Sequence, residues 1–402
     1  MNPIRHAYCR TYQFLFRIAI PFLPYRFPKE LESLKDVPNA LKQHGVNSVL
    51  IVTDAAIHSY GVIDPLKEAL SESGIRFCVY DQTVPNPTIQ NVEEALTLYR
   101  QNSCQALIGF GGGSPMDCAK VVGARIARPK KSIRQFKGIF KVLHKLPYTI
   151  AVPTTAGTGS ETTLAALITD SETQSKFSLY DFSLIPDAAV LDPEVTRTLP
   201  PRITATTGMD ALTHAVEAYI GRSTVKSTRR DALQAVKLIS QNLEKAYNDG
   251  NDMEARRNML RASYLAGRAF TVSYVGYCHT VAHSLGGKYN TPHGLANAVL
   301  LPYVLEAYGE CVHNKLRDLA IAAGIADEHT SMEKAAKAFI EMLKQMNARM
   351  NLPTKLKGIR AEDIHSLAAR AEREGNPLYP VPKLMTAKEL EQFYYDVMEE
   401  AE

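Results

Sequence analysis

The sequence lacks tryptophan, any Cys-x-x-Cys pair and any long block of one charge. The spacings of its six cysteines match neither a zinc knuckle nor a disulfide framework, so we expect free thiols and a reducing cytoplasm. The net charge of +4 is spread over 402 residues without a basic stripe. These absences argue against a nucleic-acid-binding protein and against a secreted, disulfide-stabilised domain.

The sequence also lacks an uninterrupted apolar run of the roughly 20 residues that would cross a bilayer. Its most apolar stretch, residues 11–27, is interrupted by Arg17 and Pro21 and has no small-residue cleavage site, so we expect neither a transmembrane segment nor a secretory signal. On a helix, five apolar side chains would share one face: Phe14, Leu15, Ile18, Ala19 and Phe22. We expect this face to pack against the protein body or a second subunit, with a membrane-surface anchor as the alternative.

The chain is too long for one ordinary core, which favours two domains. In the first half, four apolar strand-like runs (48–54, 75–81, 105–113, 148–153) alternate with helical patterns (61–74, 88–103, 114–127). This alternation predicts an α/β domain with a parallel, Rossmann-like sheet covered on both faces. From about Ile203 the apolar spacing is helical throughout. We therefore predict an N-terminal extension over 1–30, an α/β domain over 31–200 and an all-helical domain over 201–402.

The stretch "GFGGGSPMDCAK" (109–120) contains three consecutive glycines between a predicted strand and a predicted helix. We predict Ser114 as the N-cap of that helix, with Pro115 in its first turn and Asp117 three residues after the cap. A helix start that is preceded by glycines offers exposed N–H groups and positive partial charge, which suit a phosphate. The spacing is not the usual G-x-G-x-x-G fingerprint, so a tight turn without a ligand is the alternative.

A second loop with the same character follows a later strand: "PTTAGTGSE" (153–161) is rich in hydroxyl groups and glycine. Such groups at the carboxyl end of a parallel sheet suit a dinucleotide. Asp54, at the end of the first strand, can accept hydrogen bonds from a ribose diol and would repel an added 2′-phosphate. We therefore expect NAD rather than NADP, with a helix N-cap as the alternative role of Asp54.

A cluster of histidines lies in the helical half. "GMDALTHAVEAY" places Asp210 and His214 four residues apart, on one helix face, and "HTVAHSLGGKYNTPHG" supplies His279, His283 and His293. Carboxylate and imidazole ligands without a thiolate suit Fe²⁺, Zn²⁺, Co²⁺ or Mn²⁺. A catalytic metal needs one open position, so four protein ligands are more plausible than five. The spacing alone leaves open whether His283 or His293 joins the other three.

Together these motifs make the sequence resemble the iron-containing (group III) alcohol dehydrogenase family, from about Val49 to Tyr303. The stretches that carry the resemblance are "GGGSPMDCAK", "VPTTAGTGSE", "GMDALTHAVEAY" and "HTVAHSLGGKYNTPHGLANAVLLPY". The resemblance implies a dehydroquinate-synthase-like fold, with an α/β nucleotide-binding domain and an all-helical metal-binding domain. It also implies metal-dependent, NAD(H)-linked transfer of hydride between a primary alcohol and the nicotinamide, in a homo-oligomer that is commonly a dimer.

Carried over position by position, the resemblance assigns roles to individual residues. It implies metal ligation, preferably of Fe²⁺, by Asp210, His214, His279 and His293, and an active-site role without ligation for His283. The implied cofactor contacts are Asp54, Asn86, Gly113, Ser114, Thr154, Thr155, Thr163 and Lys176. Two features depart from the family: many relatives have histidine at the position of Tyr303, and the N-terminal extension is longer and more apolar.

Three other functions are compatible with the same motifs. A dehydroquinate-synthase-like lyase would need several basic residues for its carboxylated, phosphorylated substrate, and "AHSLGGKYNTPHG" offers only Lys288. A hydroxyacid–oxoacid transhydrogenase would exchange hydride between two substrates without free NADH. A non-catalytic nucleotide-binding module would be expected to lose metal ligands, whereas all four are present.

Overall fold

A computed structural model describes residues 1–173 and 175–399. The strands are β1 (Lys29–Leu31), β2 (Ser48–Val52), β3 (Arg76–Tyr80), β4 (Ala106–Gly111), β5 (Gly138–Ile139), β6 (Tyr148–Pro153), β7 (Ala165–Asp170), β8 (Ser175–Tyr180) and β9 (Ala188–Val190). The helices of the first half are α1 (Pro3–Ala19), α2 (Val37–Gln43), α3 (Ala55–Ser59), α4 (Asp64–Glu72), α5 (Ile89–Gln101) and α6 (Gly113–Ala127). The helices of the second half are α7 (Pro201–Ile220), α8 (Lys226–Asn248), α9 (Met253–Ser273), α10 (Tyr277–Tyr289), α11 (His293–Tyr308), α12 (Glu310–Ala322), α13 (Met332–Arg349), α14 (Ala361–Gly375) and α15 (Ala387–Val397).

These elements form two compact units. One comprises Pro24–Leu199, and the other combines Met1–Leu23 with the residues from Pro200 onward. The N-terminal stretch is thus divided, because α1 belongs to the helical unit whereas Lys29–Leu31 is an edge strand of the α/β unit.

The α/β unit is built on a six-stranded sheet with the order β1-β9-β6-β4-β2-β3, in which every pairing is parallel. Successive side chains of a strand point to opposite faces, and both faces of β2 are fully buried. Leu50 and Val52 belong to one apolar cluster, whereas Val49 and Ile51 belong to the other. Burial on both sides explains why the central strands are continuous apolar runs, and the predicted parallel α/β fold is confirmed.

A second, three-stranded sheet in this unit was not expected from the sequence. Strand β8 pairs antiparallel with β7 and parallel with β5. Its strands contain polar side chains at half-buried positions, so they do not stand out as apolar runs.

The other unit is helical, as predicted. Among the described residues from 200 onward, the β-type pairing is limited to one isolated bridge between Leu356 and Met398. None of the described helices is long and apolar enough to cross a bilayer.

The expectation that the apolar face of the N-terminal segment packs against the protein body is wrong. Helix α1 buries Cys9 and Gln13, and Ile20 is buried in the short 3-10 helix that follows. The Gln13 amide donates to the carbonyl of Tyr379 at 2.7 Å. Four of the five predicted face residues are exposed: Phe14, Leu15, Ile18 and Phe22. The face that contacts the protein is therefore a mixed one, on which Cys9 and Ile20 are buried and the side chains of Arg10 and Gln13 donate to backbone carbonyls.

Candidate functional site

The glycine-rich turn lets helix α6 approach strand β4 very closely. A Cβ atom on Gly109 would lie 3.0 Å from the Cα of Met116. Gly111 has φ +150°, and a Cβ there would lie 2.7 Å from the Cγ of Pro115. The glycines at these two positions are thus required by packing and backbone conformation, whether or not a ligand is bound.

The predicted N-cap role of Ser114 is wrong. Helix α6 begins at Gly113 with Gly112 as its cap, and no side chain caps it. Because Gly112 already has the extended backbone of a cap, Ser114 lies inside the first turn, where its Oγ accepts the backbone N–H of Asn86 at 3.3 Å. The Asn86 side-chain oxygen in turn accepts the Lys176 ammonium at 2.7 Å. Three of the residues expected to contact a cofactor therefore form one chain of hydrogen bonds beside the helix start.

The hydroxyl-rich loop runs beside the same helix start. The backbone N–H of Thr154 donates to the carbonyl of Gly111 at 3.0 Å. A Cβ on Gly113 would lie 3.3 Å from the Cγ2 of Thr158. The hydroxyl of Thr155 is buried and has no hydrogen-bond partner among the described residues. The loop thus brings an unsatisfied hydroxyl group to the N-terminus of α6, where a Cβ on Gly112 would lie 3.7 Å from the Thr155 Oγ1.

Thr163 is held by a residue that sequence analysis did not select. The buried ammonium of Lys120 donates to the Thr163 hydroxyl at 2.9 Å, to the Ser160 hydroxyl at 3.0 Å and to the carbonyls of Thr163 and Ala165. The Ser160 hydroxyl donates to Asp117 at 2.8 Å. Asp117 and Lys120 are three residues apart in the apolar helix α6, and this spacing was the available signal. The Thr163 hydroxyl is therefore already engaged within the protein.

Burial shifts the pKa values of the charged groups in this network. It lowers the pKa of Lys120 to about 8, against the opposing attraction of Asp117 and Glu161. It raises the pKa of Glu161 to about 7, and neither carboxylate oxygen of Glu161 has a hydrogen-bond partner among the described residues. A buried cluster of ionisable groups therefore underlies the hydroxyl-rich loop.

Asp54 has the alternative role that was considered for it. It is the N-cap of α3, and its Oδ1 accepts the backbone N–H of Ile57 at 2.9 Å. The side chain is half-buried, which leaves its carboxylate accessible at the carboxyl end of β2. Capping engages one carboxylate oxygen and leaves the other available to a ligand.

In the helical unit, one face of α7 carries three polar, buried residues: Asp210, His214 and Glu217. They are spaced i, i+4 and i+7, which places them on one stripe of the helix. Sequence analysis selected the first two and missed Glu217, although the same spacing would have found it.

Glu217 fixes the start of α10 and the orientation of His279. Its carboxylate accepts the backbone N–H groups of Gly276 at 2.8 Å and Cys278 at 2.9 Å, and the Nδ1 of His279 at 2.6 Å. Because Nδ1 then carries the proton, Nε2 of His279 is left with a lone pair. Burial, followed by the neighbouring imidazoles, lowers the pKa of His279 well below its ordinary value, which keeps the ring neutral.

His293, the first residue of α11, brings its imidazole close to Asp210 and His279. Gly294 allows this approach, because a Cβ there would lie 2.4 Å from the carbonyl oxygen of Thr206 in α7. The Nε2 of His293 is 3.4 Å from the Oδ1 of Asp210. The amide nitrogen of Asn297, also missed by sequence analysis, is 2.7 Å from Oδ1 of Asp210 and 3.2 Å from Nε2 of both His279 and His293.

Four candidate ligand atoms converge on one point. One atom from each of Asp210, His214, His279 and His293 lies within 4.8 Å of the others. This set has the oxygen and nitrogen donors of a divalent transition-metal site. As in such sites, one ligand histidine, His279, donates its Nδ1 proton to a carboxylate and presents Nε2 to the site. The residues present therefore fit a metal ion.

His283 lies beside this cluster with a different partner. Its ring stacks on that of His293 at 5.1 Å, and its Nδ1 is 2.6 Å from the carboxylate of Glu374. The Tyr379 hydroxyl also donates to Glu374, at 3.1 Å. Sequence analysis did not select Glu374, which is distant in sequence and carries no recognisable motif.

Known proteins are similar to this chain in both fold and sequence. The iron-containing alcohol dehydrogenase model matches residues 25–193, and the model of the C-terminal part of the Fe-containing alcohol dehydrogenase family matches residues 204–398. A crystal structure of 1,3-propanediol oxidoreductase superposes with a TM-score of 0.90 at 34% identity, covering 93% of this chain and 99% of that one.

Two curated relatives illustrate the family. Alcohol dehydrogenase 4 of Saccharomyces cerevisiae (strain YJM789) is 38% identical over 341 residues, which are 84% of this chain and 88% of the relative. NAD-dependent methanol dehydrogenase of Bacillus methanolicus is 36% identical over 347 residues, which are 84% and 89%. The chain belongs to the iron-containing alcohol dehydrogenase family. It is therefore an oxidoreductase of the alcohol dehydrogenase class.

Proposed function

We propose that this protein is an Fe²⁺- and NAD(H)-dependent dehydrogenase that interconverts primary alcohols and aldehydes. The convergence of Asp210, His214, His279 and His293 within 4.8 Å carries the proposal. The similarity to an NAD-dependent methanol dehydrogenase supports the choice of cofactor. Family membership and the free cysteines further support a homodimer in the cytoplasm, with residues 31–200 as the nucleotide-binding domain and residues 201–402 as the metal-binding domain.

The proposed metal ligands are Asp210, His214, His279 and His293. When bound, the metal ion supplies a Lewis acid that polarises the substrate oxygen, and the nicotinamide supplies or accepts the hydride. Glu217 holds the proton of His279 at Nδ1 and so presents Nε2 to the site. Asn297 orients the carboxylate of Asp210 through its amide hydrogen bond.

We propose His283 as the catalytic residue that moves a proton between the substrate and water. Glu374 holds the Nδ1 proton of His283, which leaves its Nε2 able to accept a second proton. The proposed cofactor contacts are those that the sequence implied: Asp54, Asn86, Gly113, Ser114, Thr154, Thr155, Thr163 and Lys176. Of these, the Asn86–Ser114–Lys176 chain and the unsatisfied Thr155 hydroxyl are the best placed to bind polar groups.

The test is a spectrophotometric assay of the purified, Fe²⁺-loaded protein with NADH and a panel of short aldehydes. We expect oxidation of NADH that a chelator abolishes and that Fe²⁺ restores better than Mg²⁺. Full activity in a verified metal-free sample would contradict the proposal. Hydride exchange between a hydroxyacid and an oxoacid without net NADH oxidation would indicate a transhydrogenase instead.

A further inference from the structure

The N-terminal helix exposes a continuous apolar stripe. Side chains of this stripe are between 51% and 84% exposed: Ile4, Tyr8, Leu15, Ile18 and Phe22. Their spacings of three, four or seven residues place them along one side of the helix and its short 3-10 extension. Contiguous exposed apolar surface of this kind marks a site of interaction with another surface.

The helix is held firmly on the protein by its opposite face. The guanidinium of Arg10 donates to the carbonyls of Val381 and Pro382 at 2.8 and 2.9 Å. The ring of Phe16 packs edge-on against that of Tyr274, with centroids 5.0 Å apart. The apolar stripe therefore faces outward as part of a fixed surface of the helical unit.

The N-terminal segment that carries this stripe is basic in sequence. The first 29 residues contain five basic side chains and no acidic one: the basic residues are Arg5, Arg10, Arg17, Arg26 and Lys29. Arg5 and Arg17 are both exposed, and Arg5 is paired with Glu372 at 2.9 Å. The first acidic residue of the chain is Glu30.

Arg17 belongs to a larger basic cluster that includes residues of the α7–α8 region. The Lys315 ammonium donates to the carbonyl of Gly221 at 2.8 Å, directly before Arg222. Burial, with the positive charges of Arg229, Arg17 and Arg222, lowers the pKa of Lys315 to about 8 against the attraction of Asp318. Arg222 and Arg229 are exposed like Arg17. We call Arg17, Arg222, Arg229 and Lys315 the basic cluster.

We propose that helix α1 docks this protein onto an anionic lipid surface, with the apolar stripe inserted at the level of the headgroups and the basic cluster attracted to them. Bulky apolar side chains beside Arg residues are the composition of interfacial helices, and each basic residue near an anionic membrane strengthens binding. A second copy of the chain is less well matched. A twofold contact through this stripe would bring two basic clusters together, since each surface meets its own equivalent.

The experiment is flotation of the full-length, metal-loaded protein with vesicles of two compositions. One set is pure phosphatidylcholine, and the other contains about a third phosphatidylglycerol. We expect the protein to float with the anionic vesicles, to bind the neutral ones at least about tenfold more weakly, and to lose binding in 0.5 M NaCl.

Two sets of variants separate the apolar and the electrostatic contributions. Leu15→Ser combined with Ile18→Ser should weaken binding to anionic vesicles at least about tenfold. Its matched control, Ile325→Ser with Met332→Ser, changes two apolar side chains that are also exposed but lie on other segments, and should bind like the wild type. Arg17→Gln with Arg222→Gln and Arg229→Gln should also weaken binding. The control Lys42→Gln with Lys130→Gln and Lys357→Gln removes the same number of positive charges from other exposed positions and should bind like the wild type.

Every variant should keep its metal content and aldehyde reductase activity, because none of these residues belongs to the candidate site. Absence of flotation by the wild type with anionic vesicles would overturn the proposal, as would equal losses in the α1 variant and its control. Light scattering after gel filtration tests the alternative that a second copy of the chain covers the stripe. If Leu15→Ser with Ile18→Ser lowers the oligomeric state and leaves vesicle binding unchanged, the stripe is a subunit interface.

Discussion

At the scale of single residues, the proposed ligands depend on neighbours that are not ligands. Glu217 fixes the tautomer of His279, and Asn297 orients Asp210. Glu374 hydrogen-bonds to Nδ1 of His283, which is not one of the proposed ligands. The sequence motifs predict the ligand candidates because their spacing is short and helical. They do not predict Glu374, which meets His283 only through the tertiary fold.

The choice between two histidines gives the first prediction. His293→Ala should lose nearly all bound metal, because Nε2 of His293 lies with the other candidate ligand atoms. His283→Ala should keep the metal and lose activity. Metal analysis of the purified variants tests this, with His329→Ala, which alters an exposed histidine, as the control. Loss of metal from His283→Ala alone would show that the other ligand set is correct.

Glu217→Gln tests the residue behind His279. A glutamine cannot accept from two backbone N–H groups and an imidazole N–H with the same geometry, so we expect metal affinity to fall about 10- to 100-fold. Competition with a chromogenic chelator measures this affinity. The matched variant Glu374→Gln alters the partner of His283 and should leave metal affinity unchanged. Equal affinities of Glu217→Gln and the wild type would contradict the role given to Glu217.

Asp54→Asn tests cofactor preference. Asparagine is as good an N-cap as aspartate, so α3 should remain capped while the charge is removed. The ratio of kcat/KM for NADH to that for NADPH should fall about fivefold or more, since a like-charge contact costs about 1 kcal/mol or more. Steady-state kinetics with both cofactors provide the measurement. A wild-type enzyme that uses both cofactors equally would show that Asp54 does not face the ribose.

At the scale of elements, the close contact of α11 with α7 governs the position of His293. Gly294→Ala would place a methyl group 2.4 Å from the backbone oxygen of Thr206, so the helix must move. We expect a destabilisation of about 1–3 kcal/mol, together with weaker metal binding. Thermal unfolding of metal-free protein and chelator competition measure the two effects.

Gly286→Ala is the matched control for this prediction. It introduces the same methyl group within α10, where the nearest atom, the oxygen of Thr291, is at an ordinary 3.5 Å. Because alanine favours helices, this variant should be neutral or more stable by up to about 1 kcal/mol. Equal effects of the two substitutions would mean that contact between α7 and α11 does not position His293.

The elements that sequence analysis predicted are those with a strong periodic or continuous apolar pattern. Strands β2 and β4 are buried on both faces and read as apolar runs. Strands β1 and β9 have only three residues each, too few for any period to be recognised. The pattern of α1 did predict an amphipathic helix. The pattern did not predict which face of the helix contacts the protein. That orientation depends on hydrogen bonds from Arg10 and Gln13 to carbonyls of residues 377–382, which are distant in sequence.

At the scale of the whole molecule, the buried Glu161 makes stability depend on pH. Its pKa rises from 4.5 to about 7 on burial, so between these values the folded protein binds more protons than the unfolded chain. This contribution to stability is present below about pH 4.5 and is lost as the pH rises through 7. Glu161→Gln should therefore raise the melting temperature at pH 8 by several degrees, since the buried charge costs up to about 3 kcal/mol.

Thermal unfolding at pH 5 and pH 8 tests this prediction. The difference between Glu161→Gln and the wild type should be larger at pH 8 than at pH 5. Glu68→Gln, a substitution at an exposed position in the same unit, should change little at either pH. A larger gain at pH 5 would reverse the sign and show that Glu161 is paired in solution.

Helix α7 concentrates the chemistry of the metal cluster in one rigid body. Asp210, His214 and Glu217 occupy a single stripe of the helix. The rotation of α7 about its axis therefore sets the position of two proposed ligands and of the carboxylate that hydrogen-bonds to a third, His279. A slip of one residue in that helix would turn the stripe by about 100° and displace all three together. A shift of α7 should therefore abolish metal binding as a whole rather than remove one ligand. Native mass spectrometry of α7 variants can resolve the loaded and unloaded molecules.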